Sequence, residues 1–389
     1  MKTQSIYLDH AATSPVYPEV VNAMMPYFSE DFGNPSSIHQ SGRSGRKGMD
    51  QARELTGIIL GARYDEVVFT SGGTESDNLA IFGAVAALRD KGQHVITAKT
   101  EHHAVLHACE QLEREGCEVT YLDVDQNGLI DVAELKKAIR EDTVLATFMY
   151  GNNETGAVQP IRAIGEVLRE HGILFHTDAV QAANSMPISF RELPVDLMSF
   201  TGHKLNGPKG TGVLLVKKGT PLYPRLFGGE QEKKRRPGTE NVPGAVGFAK
   251  ALEMTAQSRA ENVQFYEDCR YRMLDVFHKQ GIDIKVNSTA PVKLSHILNV
   301  SFPGVNVEQL LMNLDMEGVH VSSGSACTAG SIDPSHVLTA MYPEDPTVAG
   351  SAIRISFGYG HSLEDTALAA ERISQVVKRL QKPQPHAKR

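Results

Sequence analysis

Between residues 49 and 176, short apolar runs alternate with amphipathic stretches of helical period, and this alternation restricts the possible folds more than any other feature. Met49 to Leu60, Thr74 to Arg89, Ala104 to Glu115, Val132 to Arg140 and Ile161 to Glu170 read as helices. Val67 to Thr70, His94 to Ala98, Glu118 to Leu122, Val144 to Met149 and Ile173 to His176 read as buried strands. Strands separated by helices pair in parallel, so the pattern predicts an α/β fold: a largely parallel sheet with helices on both faces. Ligands in such sheets gather beyond the carboxyl ends of the strands. Four polar motifs stand just after strands: Ser71-Gly72-Gly73-Thr74, Glu101-His102-His103, Asn152-Asn153-Glu154 and Asp178.

Beyond Pro243 the texture changes. A helix of about Ala245 to Gln280 has no interrupting strand. Short strands (Ile297 to Ser301, Ala352 to Phe357) and helices (Val307 to Met316, Leu363 to Leu380) follow, with Ser362 and Asp365 spaced as a capping box. This predicts a smaller α+β domain, ending in a Pro-rich basic tail.

With 389 residues, 41% hydrophobic and 22% charged, the chain has the composition of a globular protein with a sizeable core. A net charge of −7 argues against a protein that coats nucleic acid. No apolar run is long enough to span a membrane, and the first residues hold no apolar signal core. Cys109, Cys117, Cys269 and Cys327 are scattered without a CxxC pair, which fits the reducing cytoplasm.

Lys204 lies in Thr201-Gly202-His203-Lys204-Leu205-Asn206-Gly207, between the apolar run 195–200 and the Gly-rich apolar run 210–216. A lysine between two buried strands is desolvated, loses its charge more easily and, as a neutral amine, condenses with an aldehyde. Asp178 ends another apolar run. A Schiff-base lysine, with an aspartate to hold a pyridinium nitrogen, is the pair that pyridoxal phosphate demands.

Other motifs leave alternatives. The two glycines of Ser71-Gly72-Gly73-Thr74 let backbone N–H groups approach an anion, so the turn is either a phosphate cup or an N-capped helix start. Glu101-His102-His103 lacks further ligands at metal spacing; its imidazoles either satisfy a loop end or lie on a cofactor ring, moving protons near neutral pH. Residues 123–134 match the calcium-loop pattern, but a β-like segment precedes them where an EF-hand needs a helix, so they read as a polar turn before a helix begun at Asp131. Cys327 sits in a small, polar stretch that cannot bury a thiol, and is a nucleophile or an incidental loop cysteine. Arg354, among apolar strand neighbours, needs an anion: an internal carboxylate or a substrate α-carboxylate. The basic run Lys233 to Arg236 is flanked by glycines and could reach a neighbouring site.

Together these residues closely resemble the cysteine desulfurases, fold type I pyridoxal-phosphate enzymes of the class V aminotransferase group. The resemblance runs from Tyr7-Leu-Asp-His-Ala-Ala-Thr13 to about Gly358. It rests on the order of Gly33-Asn-Pro-Ser-Ser37, Thr70-Ser-Gly-Gly-Thr-Glu-Ser76, Asn152-Asn-Glu-Thr-Gly156, His176-Thr-Asp178, Gly202-His-Lys204 and Ser323-Gly-Ser-Ala-Cys327. The longer loop after the cysteine, with Asp333-Pro-Ser-His336, is similar to the NifS/IscS-like group.

The resemblance implies a large cofactor-binding domain (14–258) with a mostly parallel seven-stranded sheet, and a smaller α+β domain (1–13 and 259–389) carrying the cysteine loop, 322–336. It implies that Lys204 holds pyridoxal phosphate as an imine, Asp178 pairs with the ring nitrogen, His102 stacks on the ring and Gln181 bonds the phenolic oxygen. Gly73, Thr74, Thr201 and His203 would hold the phosphate, and Thr239 would reach the phosphate of the other subunit of a homodimer. Asn153, next to the cofactor, and Arg354 would bind the carboxylate of L-cysteine. The freed Lys204 would take the α-proton, and Cys327 would receive the sulfur as a persulfide while alanine leaves. The acceptor would be a protein partner, an iron–sulfur scaffold or a tRNA thiolase, with no direct nucleic-acid or membrane contact. His103 beside His102 departs from the family pattern. A selenocysteine lyase or aminotransferase would need Lys204 and Asp178 but not Cys327, and a non-catalytic sulfur-relay protein would need no cofactor.

Overall fold

A computed structural model of the chain describes residues 4–324 and 334–381. Its main sheet has seven strands in the order Val67–Thr70, Gly212–Val216, Leu197–Thr201, Leu174–Asp178, Thr143–Thr147, His94–Ala98, Glu118–Leu122. All neighbouring pairs are parallel except those of Gly212–Val216, which runs antiparallel to both its neighbours. Of the five central strands, four are buried at every residue and Leu174–Asp178 at all but its first, as expected where helices cover both faces.

The helix Gly73–Ala87 crosses under the sheet and buries Leu79, Ala80, Ile81, Phe82, Ala84 and Val85. It has no polar stripe, because it lies inside the protein rather than on its surface. The helix Gln40–Leu60 starts nine residues before the sequence reading placed it. Gly42, Gly45 and Gly48 look like helix breakers, but here they allow close packing: a Cβ on Gly45 would stand 2.1 Å from the Gly33 carbonyl oxygen.

A second, antiparallel sheet joins Ala352–Ser356, Ile297–Ser301 and Lys285–Val286, and Ile6–Tyr7 pairs in parallel with Val319–His320. Leu298, Val300, Phe302, Ile353, Ile355 and Phe357 form its core with Ile6, Leu8, Leu310, Ile373 and Val377. The 38-residue helix Val242–Lys279 serves both cores: Phe248, Ala251 and Leu252 enter the first, and Cys269, Met273 and Phe277 the second. Asn241 caps it, accepting from the Gly244 amide at 3.0 Å, with Pro243 in the first turn. The Ser362–Asp365 capping box is present in both directions, 3.0 and 3.1 Å. In the calcium-like stretch, Asp125 Oδ1 accepts from the Asn127 and Leu129 amides and Asp131 caps the helix Val132–Ala138, so the carboxylates organise the turn itself.

Candidate active site

A cavity of about 210 Å³ opens where the parallel strands end. Gly73, Thr74, His102, Asn153, Asp178, Gln181, Thr201, His203, Lys204 and Arg354, scattered widely along the chain, all line it. The strand Leu197–Thr201 delivers Lys204 through the single turn Gly202–Lys204. Lys204 is half-buried, and its Nζ donates to the carbonyl oxygens of Ala11 at 2.5 Å and Ala12 at 2.6 Å.

Asp178 is the last residue of its strand, and its Oδ1 accepts from the Val180 amide at 2.9 Å. Burial pushes its carboxyl up to about 6, with the Val180 amide and the Lys204 charge pulling the other way. A buried carboxylate this reluctant to ionise is stabilised by a cation placed against it.

His102 caps the helix His103–Arg114, its Nδ1 accepting from the Ala104 amide at 3.1 Å. The neutral ring therefore carries its proton on Nε2. Burial, then the Lys204 charge, hold its pKa down to about 4. His103 turns toward His107 and His336, with ring centroids 5.1 and 4.7 Å away, and does not line the cavity.

The 15-residue helix Gly73–Ala87 begins at the cavity wall, so its free amides and partial positive charge face the space. Thr74, Thr201 and His203 also line an adjoining hollow with Ser71, Gly72 and Lys209, which gathers hydroxyls and a cation at one end. Thr239 lines neither; it borders a separate hollow with Ser71, Gly210 and Arg236. The basic run near it folds back on its own chain: Arg236 pairs with Glu75 at 2.8 Å and Lys234 with Glu230 at 2.9 Å.

Arg354 has the internal carboxylate that was one of the two partners foreseen for it. It is 1% exposed, its Nη2 meets Asp9 Oδ1 at 2.8 Å, and its Nη1 donates to the Asn153 carbonyl at 3.1 Å, yet it borders the cavity. Gln181 donates to the Ala11 carbonyl at 2.9 Å, and its Oε1 lies 3.2 Å from His296 Nε2.

Asp77 went unnoticed in the sequence. It lines the cavity at 1% exposure, and its Oδ1 lacks a hydrogen-bond partner among the described residues. Burial and the nearby Asp178 charge hold its carboxyl well above the usual range. Its position four residues after Gly73, on the same helix face, was the available signal. Oxygens of Asp77 and Asp178 and a nitrogen of His102 lie within 4.8 Å of one another. A metal ion or a protonated ring nitrogen would answer that concentration of charge. The amine beside it and the helix start facing it fit the chemistry of pyridoxal phosphate.

Cys327 lies outside the described residues, but the flanks of its loop are in place. Ser322 Oγ donates to Asp9 Oδ2 at 2.8 Å, Ser335 Oγ donates to the Glu154 carboxylate, and His336 Nε2 lies 2.9 Å from the Glu101 carbonyl oxygen. Cys109 and Cys269 are buried, with burial pushing both thiols up, to about 11 at Cys269. Neither has the setting of a nucleophile.

Comparison with known proteins places the chain in a family along nearly its whole length. The family model described as aminotransferase class-V matches residues 6–367. The relative named IscS 1 of Bacillus subtilis (strain 168) is 55% identical over 377 residues, 97% of this chain and 100% of that protein. Cysteine desulfurase IscS of Methanosarcina thermophila is 45% identical over 384 residues, 99% of this chain and 95% of that protein. A solved structure of a NifS-like protein superposes with a TM-score of 0.91 at 33% identity, covering 97% of this chain and 100% of that one. The chain belongs to the class-V aminotransferase family. Full-length identity of this order puts it among that family's cysteine desulfurases, enzymes that depend on pyridoxal phosphate.

Proposed function

We propose that the chain takes sulfur from L-cysteine, leaving L-alanine, and carries it as a persulfide on Cys327 to an acceptor protein. One observation supports this most: the Lys204 amine, the Asp178 carboxyl, the His102 imidazole and the Arg354 guanidinium, far apart in sequence, converge on one cavity. Bound there, pyridoxal phosphate supplies an electrophilic carbonyl and an electron-withdrawing ring that stabilises negative charge on the substrate's α-carbon.

The protein's own groups do the rest. Arg354, with Asn153 beside it, receives the substrate carboxylate and fixes which face of the α-carbon meets Lys204. Lys204 Nζ, which donates to two backbone carbonyls, swings to accept the α-proton. His102, neutral at pH 7 with its proton on Nε2, stacks on the ring and donates and retrieves a proton at the cavity wall. Asp178 keeps the ring nitrogen protonated. Gly73, Thr74, Thr201 and His203 hold the phosphate, and Gln181 steadies the ring oxygen while tied to Ala11. The Cys327 thiolate attacks the substrate sulfur: the carbon–sulfur bond breaks, the sulfur–sulfur bond forms, and the carbon takes a proton to give alanine. The net exchange, thiol plus cysteine to persulfide plus alanine, needs no outside oxidant.

The active unit is a homodimer in which Thr239 completes the partner's phosphate site; its place outside the cavity of its own chain supports this. The large domain, 14–258, carries the cofactor, and the small domain, 1–13 with 259–389, carries the cysteine loop 322–336. The enzyme works in the cytoplasm; no described helix is long and apolar enough to cross a membrane. Its acceptor is an iron–sulfur scaffold or a tRNA thiolase.

The test is an assay of purified protein for alanine and persulfide formed from L-cysteine. Cys327→Ala is expected to abolish persulfide while keeping the near-visible cofactor absorbance; undiminished turnover would point to a lyase or transaminase. Lys204→Ala is expected to abolish both, and a colourless wild-type protein that still relays sulfur would overturn the enzyme reading.

A further inference from the structure

The Arg354 guanidinium is a planar fork held at two of its corners. Nη2 meets Asp9 Oδ1 at 2.8 Å and Nη1 meets the Asn153 carbonyl at 3.1 Å, while Nε has no hydrogen-bond partner among the described residues. Two fixed corners define the plane of such a group and leave its remaining N–H bonds aimed by geometry rather than by chance. The Asn153 contact is to backbone, so among the described residues Asp9 is the side chain that sets the orientation.

Asp9 is itself fixed. Its Oδ2 accepts from Ser322 Oγ at 2.8 Å, and its backbone bridges in parallel to Ser356, two residues along the strand from Arg354. Its side chain is 15% exposed, and it stands behind Arg354 rather than in the cavity lining. Such a carboxylate can neutralise the buried cation and, at the same time, hold its free edge toward the space where a ligand enters.

We propose that Asp9 is a positioning residue that orients Arg354 for the α-carboxylate of the substrate and thereby sets the preference for amines that carry one. This rests on the reading of Arg354 as the carboxylate site. A residue that merely neutralised Arg354 would support the fold without discriminating among ligands.

Two small amines separate these roles. L-alanine carries the carboxylate; ethylamine is the same molecule without it. Their affinities for the holoenzyme are measured by calorimetry in wild type, Asp9→Ala, Asp9→Asn and Arg354→Ala. In Asp9→Ala, L-alanine is expected to bind about tenfold more weakly or worse, with ethylamine within about twofold of wild type. Asp9→Asn keeps an acceptor oxygen for Nη2 and is expected to restore most of the loss. If both amines weaken together, or neither does, Asp9 has no positioning role. If Arg354→Ala leaves L-alanine binding intact, the carboxylate site lies elsewhere and the proposal falls with that reading. Should Asp9→Ala not fold, Ser322→Ala, which releases Asp9 Oδ2, is expected to weaken L-alanine about threefold and leave ethylamine alone; unchanged L-alanine binding there overturns the proposal.

Discussion

The carboxyl groups of Asp77 and Asp178 open on one cavity with oxygens within 4.8 Å of each other, and burial pushes both toward the protonated form. Like charges this close in a dry site do not ionise together without a cation between them. Ionising both groups without a cation therefore strains the fold, and a cationic ring nitrogen against them would relieve that strain.

This gives a pH-dependent test on cofactor-free protein. Asp178 titrates from 3.8 in the unfolded chain to about 6 in the fold, so the native state holds its proton more tightly. Ionised Asp178 therefore costs stability above about pH 6, and the cost fades as pH falls toward 4. Cofactor-free Asp178→Asn should melt higher than cofactor-free wild type at pH 7.5, with the gap, at most roughly 2–3 kcal/mol, shrinking to about a third by pH 4.5 and closing only below pH 3.8. The same variant should bind pyridoxal phosphate about tenfold more weakly or worse. Identical melting at both pH values would contradict the strained pair.

The two adjacent imidazoles should separate in kinetics. His102 borders the cavity, whereas His103 faces His107 and His336. His102→Ala should lower alanine formation by about 10²-fold or more, and His103→Ala by no more than about threefold. A reversed order would move the ring contact to His103.

Acid should unfold the cofactor-free protein early. Burial lowers His10, His102, His203 and His361 to about 4, and His176 and His296 to about 3, against 6.5 in the unfolded chain. Below pH 6.5 the unfolded chain takes up protons that the native state refuses, so stability falls as pH drops from 6.5 toward 4. Asp77, Glu101, Asp178 and Asp196 oppose this with raised values, but burial lowers His94 and His103 as well, so they are four groups against eight. Urea midpoints measured from pH 7.5 to 4.5 should decline steadily; a flat profile would mean these rings reach solvent.

Glu154 is 0% exposed, and its carboxylate accepts the Ser335 hydroxyl, which in turn caps the helix His336–Met341. Glu154→Ala should slow persulfide formation about tenfold by loosening that flank of the cysteine loop. Cofactor affinity, read by absorbance titration, should change by less than about twofold, since Glu154 is not part of the cavity lining. Equal losses in both would assign Glu154 to general folding.

The sequence reveals the strands well because each is a short apolar run between turn residues: Val67–Thr70, His94–Ala98, Glu118–Leu122 and Ile297–Ser301 fall where the pattern put them. It does not reveal that Gly212–Val216 runs against its neighbours, since a fully buried run reads alike in both directions. Lys204 and Asp178 were legible because strand ends in such sheets are where chemistry collects. Asp77 was not, because an acidic residue near the start of a helix ordinarily faces solvent. Nor could local reading find the hold of Ala11 and His296 on Gln181, partners 170 and 115 residues away.

The helix Val242–Lys279 plants its first half in one apolar core and its last turns in the other. A continuous hydrogen-bonded rod transmits torque, since its middle cannot twist without breaking its own ladder. Any tilt of the second core must therefore register as a load on the first, where Phe248 and Leu252 are rooted.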